Sequence, residues 1–236
     1  MDITRTFDGP ELNTEYLFGL FAQLALNRNA TTLLGVPLNY TIVHFTANQN
    51  IASAATIINF EFASLGIILP VEIDTWNVFN AEGQVLEYDA TFRWFQYLLD
   101  TLVITVMKVG NFASVTQVIQ YFTATLSQSI CQVHQSYCNG TNQQYASYSA
   151  CYDFLTTKVR FGKAHELGMN TLLCRTIHEN MVPFRPSVHC PHIGPTGGGY
   201  CTDDLTYGGV VTQPYFTNQP MVPYGYQNSN ATIAAM

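Results

Sequence analysis

The stretch from Ile57 to Tyr88 constrains the chain most, because it commits the chain to a sheet. Ile58, Phe60 and Phe62 alternate with Asn59 and Glu61, the two-residue period of a strand with one face buried. Ile67 to Phe79 is longer and more apolar. Asn80-Ala81-Glu82-Gly83 then supplies a turn whose glycine tolerates positive φ. Gln84 to Tyr88 returns as the partner strand. Leu38 to Phe45 precedes this hairpin and is rich in strand-favouring residues, with Asn48-Gln49-Asn50 as the connecting loop.

Helices flank the sheet segment. Asn13 or Thr14 can cap a helix to about Leu26, with Leu17, Leu20, Phe21 and Leu24 on one face, and Gly35-Val36-Pro37 ends that region. Asp89 is the expected cap of a long, nearly all-apolar helix from Ala90 to Lys108. Ser114 opens another, whose stripe of Val115, Val118, Ile119, Phe122, Leu126, Ile130 and Val133 runs to the Cys138-Asn139-Gly140 stop. Ala146 to Val159 and Asn170 to Met181 read as two shorter helices. Between Met181 and Cys201 the prolines and glycines predict irregular structure. Thr206 to Met236 is an uncharged Tyr, Pro, Gly, Asn and Gln arm that cannot bury a core of its own.

All six cysteines lie between Cys131 and Cys201. None of the spacings is that of a zinc ribbon, so Cys131, Cys138, Cys151, Cys174, Cys190 and Cys201 are expected to form disulfides, which places the chain in an oxidising compartment. Cys131 and Cys138 on one continuous helix stand about 10 Å apart and cannot bond to each other. Sequons at Asn29, Asn39, Asn139 and Asn230 agree with an extracellular, secreted glycoprotein. Met1 to Pro10 has no apolar signal core, so the numbering is expected to begin after processing.

Only 11% of residues are charged, against about 25% in ordinary soluble domains. A surface this poor in charge lacks the repulsion that keeps molecules apart, so it needs glycans or a permanent partner. The net charge of -7 and the thinly spread basic residues exclude nucleic acid and anionic membrane surfaces as partners. Tyr97 to Val109 is the most apolar run, but Asp100 and Lys108 interrupt it, so no membrane span is expected.

The order helix, strand, then long paired strands around Val78-Phe79-Asn80-Ala81-Glu82-Gly83-Gln84-Val85, with Tyr88 after it, resembles the NTF2-like (SnoaL-like) superfamily over Leu12 to Lys108. The resemblance implies an α+β fold in which a curved, mostly antiparallel sheet takes helices on its concave face and forms a cone. Residues 1–110 would be that domain, residues 111–205 a cysteine-stapled helical extension packed on it, and residues 206–236 an arm that is disordered or extended. The extension, with its CR-x2-H, RP-x2-HCPHIGP and GG-x2-C patterns, resembles secreted eukaryotic proteins of unassigned function. Enzymes of the superfamily use an Asp–His pair inside the cone, and by that resemblance His44 and Asp74 would be base and orienter.

The densest polar group is His178, Glu179, His189 and His192, with Cys190 among them. His189 and His192 are spaced H-x2-H, and His178 could give a third nitrogen to zinc or copper. The alternative is that these imidazoles hydrogen-bond loop carbonyls beside a disulfide. That alternative is the one adopted, so no metal and no cofactor is expected. His178-Glu179 lacks the second histidine of a metalloprotease helix, Gly194 to Gly199 lacks the Lys-Ser/Thr of a phosphate loop, and no G-x-S-x-G elbow occurs. Glu11, Glu15, Glu61, Glu72, Asp74 and Glu87 are scattered, with no glycosidase pair. His134 and Tyr137 read as helix-packing residues and His165 as exposed.

Three functions compete. The favoured one is a structural, self-assembling extracellular protein, not an enzyme, whose arm adds to the sheet edge of another copy and builds a filament or matrix. The second is a SnoaL-like small-molecule enzyme or binding protein using the cone interior as a closed apolar pocket. The third is metal binding through the histidines.

Overall fold

The structure, a computed structural model, describes residues 5–26 and 33–213. The side chains of Leu20, Phe21 and Leu24, the sequons at Asn29 and Asn230, and the arm beyond residue 213 lie outside the described residues. The fold is α+β. Helix α1 (Pro10–Leu26) leads into four strands, β1 (Val36–Asn48), β2 (Ile51–Phe62), β3 (Ile67–Phe79) and β4 (Val85–Phe92). They pair in sequence order as one curved antiparallel sheet. Helices α2 (Phe95–Val109), α3 (Val115–Tyr137), α4 (Tyr148–Lys158), α5 (Leu172–Glu179), α6 (Pro186–Ile193) and α7 (Tyr207–Thr212) follow.

The alternation in β2 does what its period requires. Ile58, Phe60 and Phe62 pair with Val71, Leu69 and Ile67 of β3 and share one face of the sheet. Phe60 and Phe62 are buried with Val71 and Phe95 in the same core as Leu126, Ile130, Leu155 and Leu172 of the helical half. Each such side chain contributes about 1.5–3 kcal/mol by leaving water. Sheet and helices therefore share one apolar interior.

Three expectations are corrected. Asp89 caps no helix: β4 continues to Phe92, and α2 begins only after Trp94 turns the chain with φ 58°. Asp89 pairs with Trp76 within the sheet. The proline-rich stretch is not irregular, because Pro186 occupies the first turn of α6, where its missing N–H costs nothing. Pro191 falls in the last turn of that helix. The arm also does not begin extended, since the Thr206 hydroxyl accepts from Gly209 N–H and caps α7.

Ser114, Ser147 and Thr171 cap α3, α4 and α5, each side-chain oxygen accepting a backbone N–H. Cys131–Cys151 joins α3 to α4, Cys138–Cys190 joins the end of α3 to α6, and Cys174–Cys201 joins α5 to the loop after Gly199. The α5–α6 corner is thus held from both sides.

Candidate functional site

His178 is the last basic side chain of α5, and His189 and His192 lie three apart on one face of α6. The corner between the two helices, Met181 to Arg185, folds α6 back so that all three rings meet. All three are buried, with exposures of 3%, 0% and 4%. One nitrogen of each lies within 4.8 Å of the others. His192 Nδ1 and His178 Nδ1 are 3.0 Å apart, so one donates to the other. The alternative of imidazoles paired to loop carbonyls does not describe this arrangement.

The N-terminal segment closes over the corner. Tyr16 Oη of α1 lies 3.1 Å and 3.0 Å from the two ring nitrogens of His178. Glu15, one residue earlier, takes His189 Nε2 at 2.9 Å, and Arg185 Nη1 donates to the other carboxylate oxygen at 3.2 Å. His189 Nδ1 is left buried with no hydrogen-bond partner. Phe7 stacks on Tyr16 at 3.5 Å between ring centres, and Tyr200 packs against His192 at 4.5 Å.

Arg5 fixes this segment in place. Its Nε donates to Gly168 O at 2.9 Å and Tyr200 O at 2.8 Å, and its Nη2 donates to Thr202 O at 3.1 Å and Asp204 Oδ1 at 2.5 Å. The pairing with Arg5 holds the Asp204 carboxyl down, at about 2. Arg5, Phe7, Tyr16, Leu167, Gly168, Ile177, His178 and Tyr200 line a small, partly open pocket of about 10 Å³, on the order of one water molecule.

Burial decides the charge of the cluster. Desolvation, then the facing His192 and His189, hold His178 far below the usual imidazole range. Desolvation and His189 take His192 down to about 3. Desolvation lowers His189 too, although Glu15 opposes it. Tyr16 is pushed upward by burial and keeps its proton. At neutral pH the centre is therefore three neutral imidazoles and a phenol. Such a group resists protonation and offers neutral nitrogens to a metal, and it cannot bind an anion by charge.

The glycines after Pro195 serve the same corner. Gly198 has φ +56°, and a Cβ there would stand 2.7 Å from His192 Cδ2. Only glycine lets that loop close on the imidazole. Arg175 is wholly buried and ties the helices from below, its guanidinium donating to Thr171 O at 3.1 Å and Gly194 O at 3.2 Å. Glu179, adjacent to His178, faces α3, where the Ser129 hydroxyl donates to it. Burial raises the Glu179 carboxyl to about 8.

His44 and Asp74 form no pair. Each is registered against Ala55 from opposite sides, so a whole strand separates them, about 9–10 Å across. His44 sits exposed on edge strand β1, and Asp74 Oδ2 pairs with Arg93 Nε at 3.3 Å. Asn39 and Asn139 are both exposed. His134 is buried and accepts the Gln144 N–H at 3.0 Å, and His165 is exposed. No helix among the described residues is long and apolar enough to cross a membrane.

Sequence reasoning found the three histidines and missed their surroundings. Tyr16, Glu15 and Arg5 lie more than 160 residues away from their partners in the chain. No local spacing marks them.

The BfoA N-terminal domain matches residues 1–90 and the BfoA family C-terminal domain matches residues 93–204. Bifonsecin B biosynthesis cluster protein A of Aspergillus brasiliensis is 52% identical over 223 residues, which is 94% of this chain and 73% of that protein. Aurasperone B biosynthesis cluster protein A of Aspergillus niger is 50% identical over 223 residues, 94% of this chain and 72% of that one. No solved structure matches. These names correct the expectation of a structural, self-assembling filament or matrix subunit, because the relatives are named for biosynthesis. A four-stranded antiparallel sheet with helices is compatible with the NTF2-like resemblance, and the family models that match are those of BfoA. With matches along both halves, the chain belongs to the BfoA family.

Proposed function

We propose that this protein works in the biosynthesis of a secondary metabolite, and that its working part is the Tyr16–His178–His192–His189 centre. The relatives named for biosynthesis clusters support the pathway role. The observation that carries the choice of centre is the burial of three uncharged imidazoles together, one with an unpartnered nitrogen. Burying polar groups in this way costs stability. A corner already held by Cys138–Cys190 and Cys174–Cys201 does not need them as braces. Perturbed, clustered titratable groups of this kind concentrate at working sites.

The disulfides support a secreted protein that meets its small-molecule substrate outside the reducing cytosol. Residues 1–110, read as an NTF2-like domain, and residues 111–205, read as the stapled extension, each give part of the centre. Glu15 and Tyr16 come from the first and the histidines from the second. Residues 206–236 stand outside it as the arm.

The test is genetic and chemical. A strain lacking the gene is complemented with the intact gene or with His192→Gln, and its metabolites are profiled by mass spectrometry. The intact gene should restore the pathway product. The variant, accumulated to equal level, should not. Full restoration by His192→Gln would remove the centre from the function, and an unchanged profile in the deletion strain would remove the pathway role.

A further inference from the structure

We infer that His178, His189 and His192 bind one divalent transition metal, zinc or copper. The inference rests on the reading of this corner as the working centre, but its argument is geometric. Three neutral imidazoles with donor atoms within 4.8 Å of one another are a ligand set before any ion arrives. His178 Nδ1 and His192 Nδ1 stand 3.0 Å apart. Two nitrogens bound to one tetrahedral ion at zinc distances stand about 3.3 Å apart. The adjustment needed is a few tenths of an ångström, within reach of ring rotation.

His189 supplies the most specific sign. A carboxylate holds its Nε2, and its Nδ1 is buried with no partner. A metal-bound histidine has this arrangement: one nitrogen on the ion, the other donating to a carboxylate that fixes the tautomer and the ring plane. Arg185 in turn orients Glu15. An imidazole kept only for packing has no use for a buried orphan nitrogen, which is costly to leave unpaired.

The donor set selects the class of ion. Imidazole without carboxylate or thiolate suits zinc and copper, and calcium or magnesium would need oxygen ligands. Copper binds such a site more tightly than zinc when both are offered. The cysteines are not ligands here. Cys174 and Cys201 have sulfurs within 4.8 Å of a His178 nitrogen, but they are bonded to each other. Tyr16 Oη, close to both nitrogens of His178, can donate to whatever takes the fourth position. The small pocket beside it has room for about one water.

The experiment uses the whole chain, purified without chelator or thiol so that the disulfides survive. Its metal content is measured by inductively coupled plasma mass spectrometry. The chain is then stripped with chelator and titrated separately with zinc sulfate and copper sulfate, followed by calorimetry and thermal melting. The expected result is about one ion per chain and a melting point that rises with free metal. Copper would add a d–d absorption band and zinc would not. His189→Gln and His192→Gln should each weaken binding tenfold or more, and Glu15→Gln, which leaves all three imidazoles, by about tenfold. His165→Gln, at an exposed histidine away from the corner, should leave binding unchanged. The inference is overturned if the stripped chain binds neither ion at one per chain. It is equally overturned if Glu15→Gln and His192→Gln, with native near-ultraviolet circular dichroism, bind as the parent does. Loss of metal in His192→Gln with the pathway product intact would uphold the metal site and remove the corner from the pathway function. A deletion strain with an unchanged profile would sink the pathway role and leave the metal site standing.

Discussion

At the scale of single residues, burial overrides ordinary acid–base behaviour. Glu179 is 7% exposed, and the hydrogen bond it accepts from the Ser129 hydroxyl does not repay the desolvation of a carboxylate. Its carboxyl is raised from 4.5 to about 8. The folded state therefore holds a proton that the unfolded state releases from about pH 4.5 upward. The sign follows: this group's contribution is fully present below about 4.5 and is lost as pH rises toward about 8. Urea unfolding at pH 5 and pH 8 should show lower stability at the higher pH, and Glu179→Gln should flatten the difference. An equally steep profile in that variant would assign the pH dependence elsewhere.

At the scale of elements, the stapled helices carry the centre and the sheet supports them. The Cys174–Cys201 bond closes 27 residues of chain and holds Tyr200 over His192. Loops of that size give about 3.5 kcal/mol in the chain-entropy account. Replacing both cysteines by serine should lower unfolding free energy by about 3.5 kcal/mol, and limited proteolysis should then cut first between Gly194 and Thr202. The sheet was legible because a two-residue period with one buried face has few other readings, as in Ile58, Phe60 and Phe62. The junction of β4 and α2 was not. Ala90, Thr91 and Phe92 suit strand and helix alike, and the break depends on Trp94 taking a left-handed turn. Helix α6 was hidden by its own prolines, since composition counts them as breakers and only their position makes them tolerable.

At the scale of the whole molecule, the two halves complete each other. The histidines were visible in the sequence as a cluster, but their meaning depends on Glu15 and Tyr16, brought from the opposite end of the chain by α1. Pairing across such a distance leaves no trace in local pattern. Arg5 is the tie, bonding to Gly168, Tyr200, Thr202 and Asp204. Arg5→Ala should cost about 1.5–3 kcal/mol, the range for hydrogen bonds to a charged group. It should also speed amide exchange at Phe7 and Tyr16 before it affects β2 and β3. Uniform acceleration across the chain would mean that the N-terminal segment is no separate closure.

The measurement that bears most directly on all of this is nitrogen-15 NMR of the histidine side chains across pH. His178 and His192 should keep the shifts of neutral imidazole at pH 5, and His189 should show its Nε2 protonated toward Glu15. Addition of zinc should move the signals of all three rings together. Protonation of His178 and His192 above pH 6, with no common response to metal, would show that the corner is open to water and that no such centre exists.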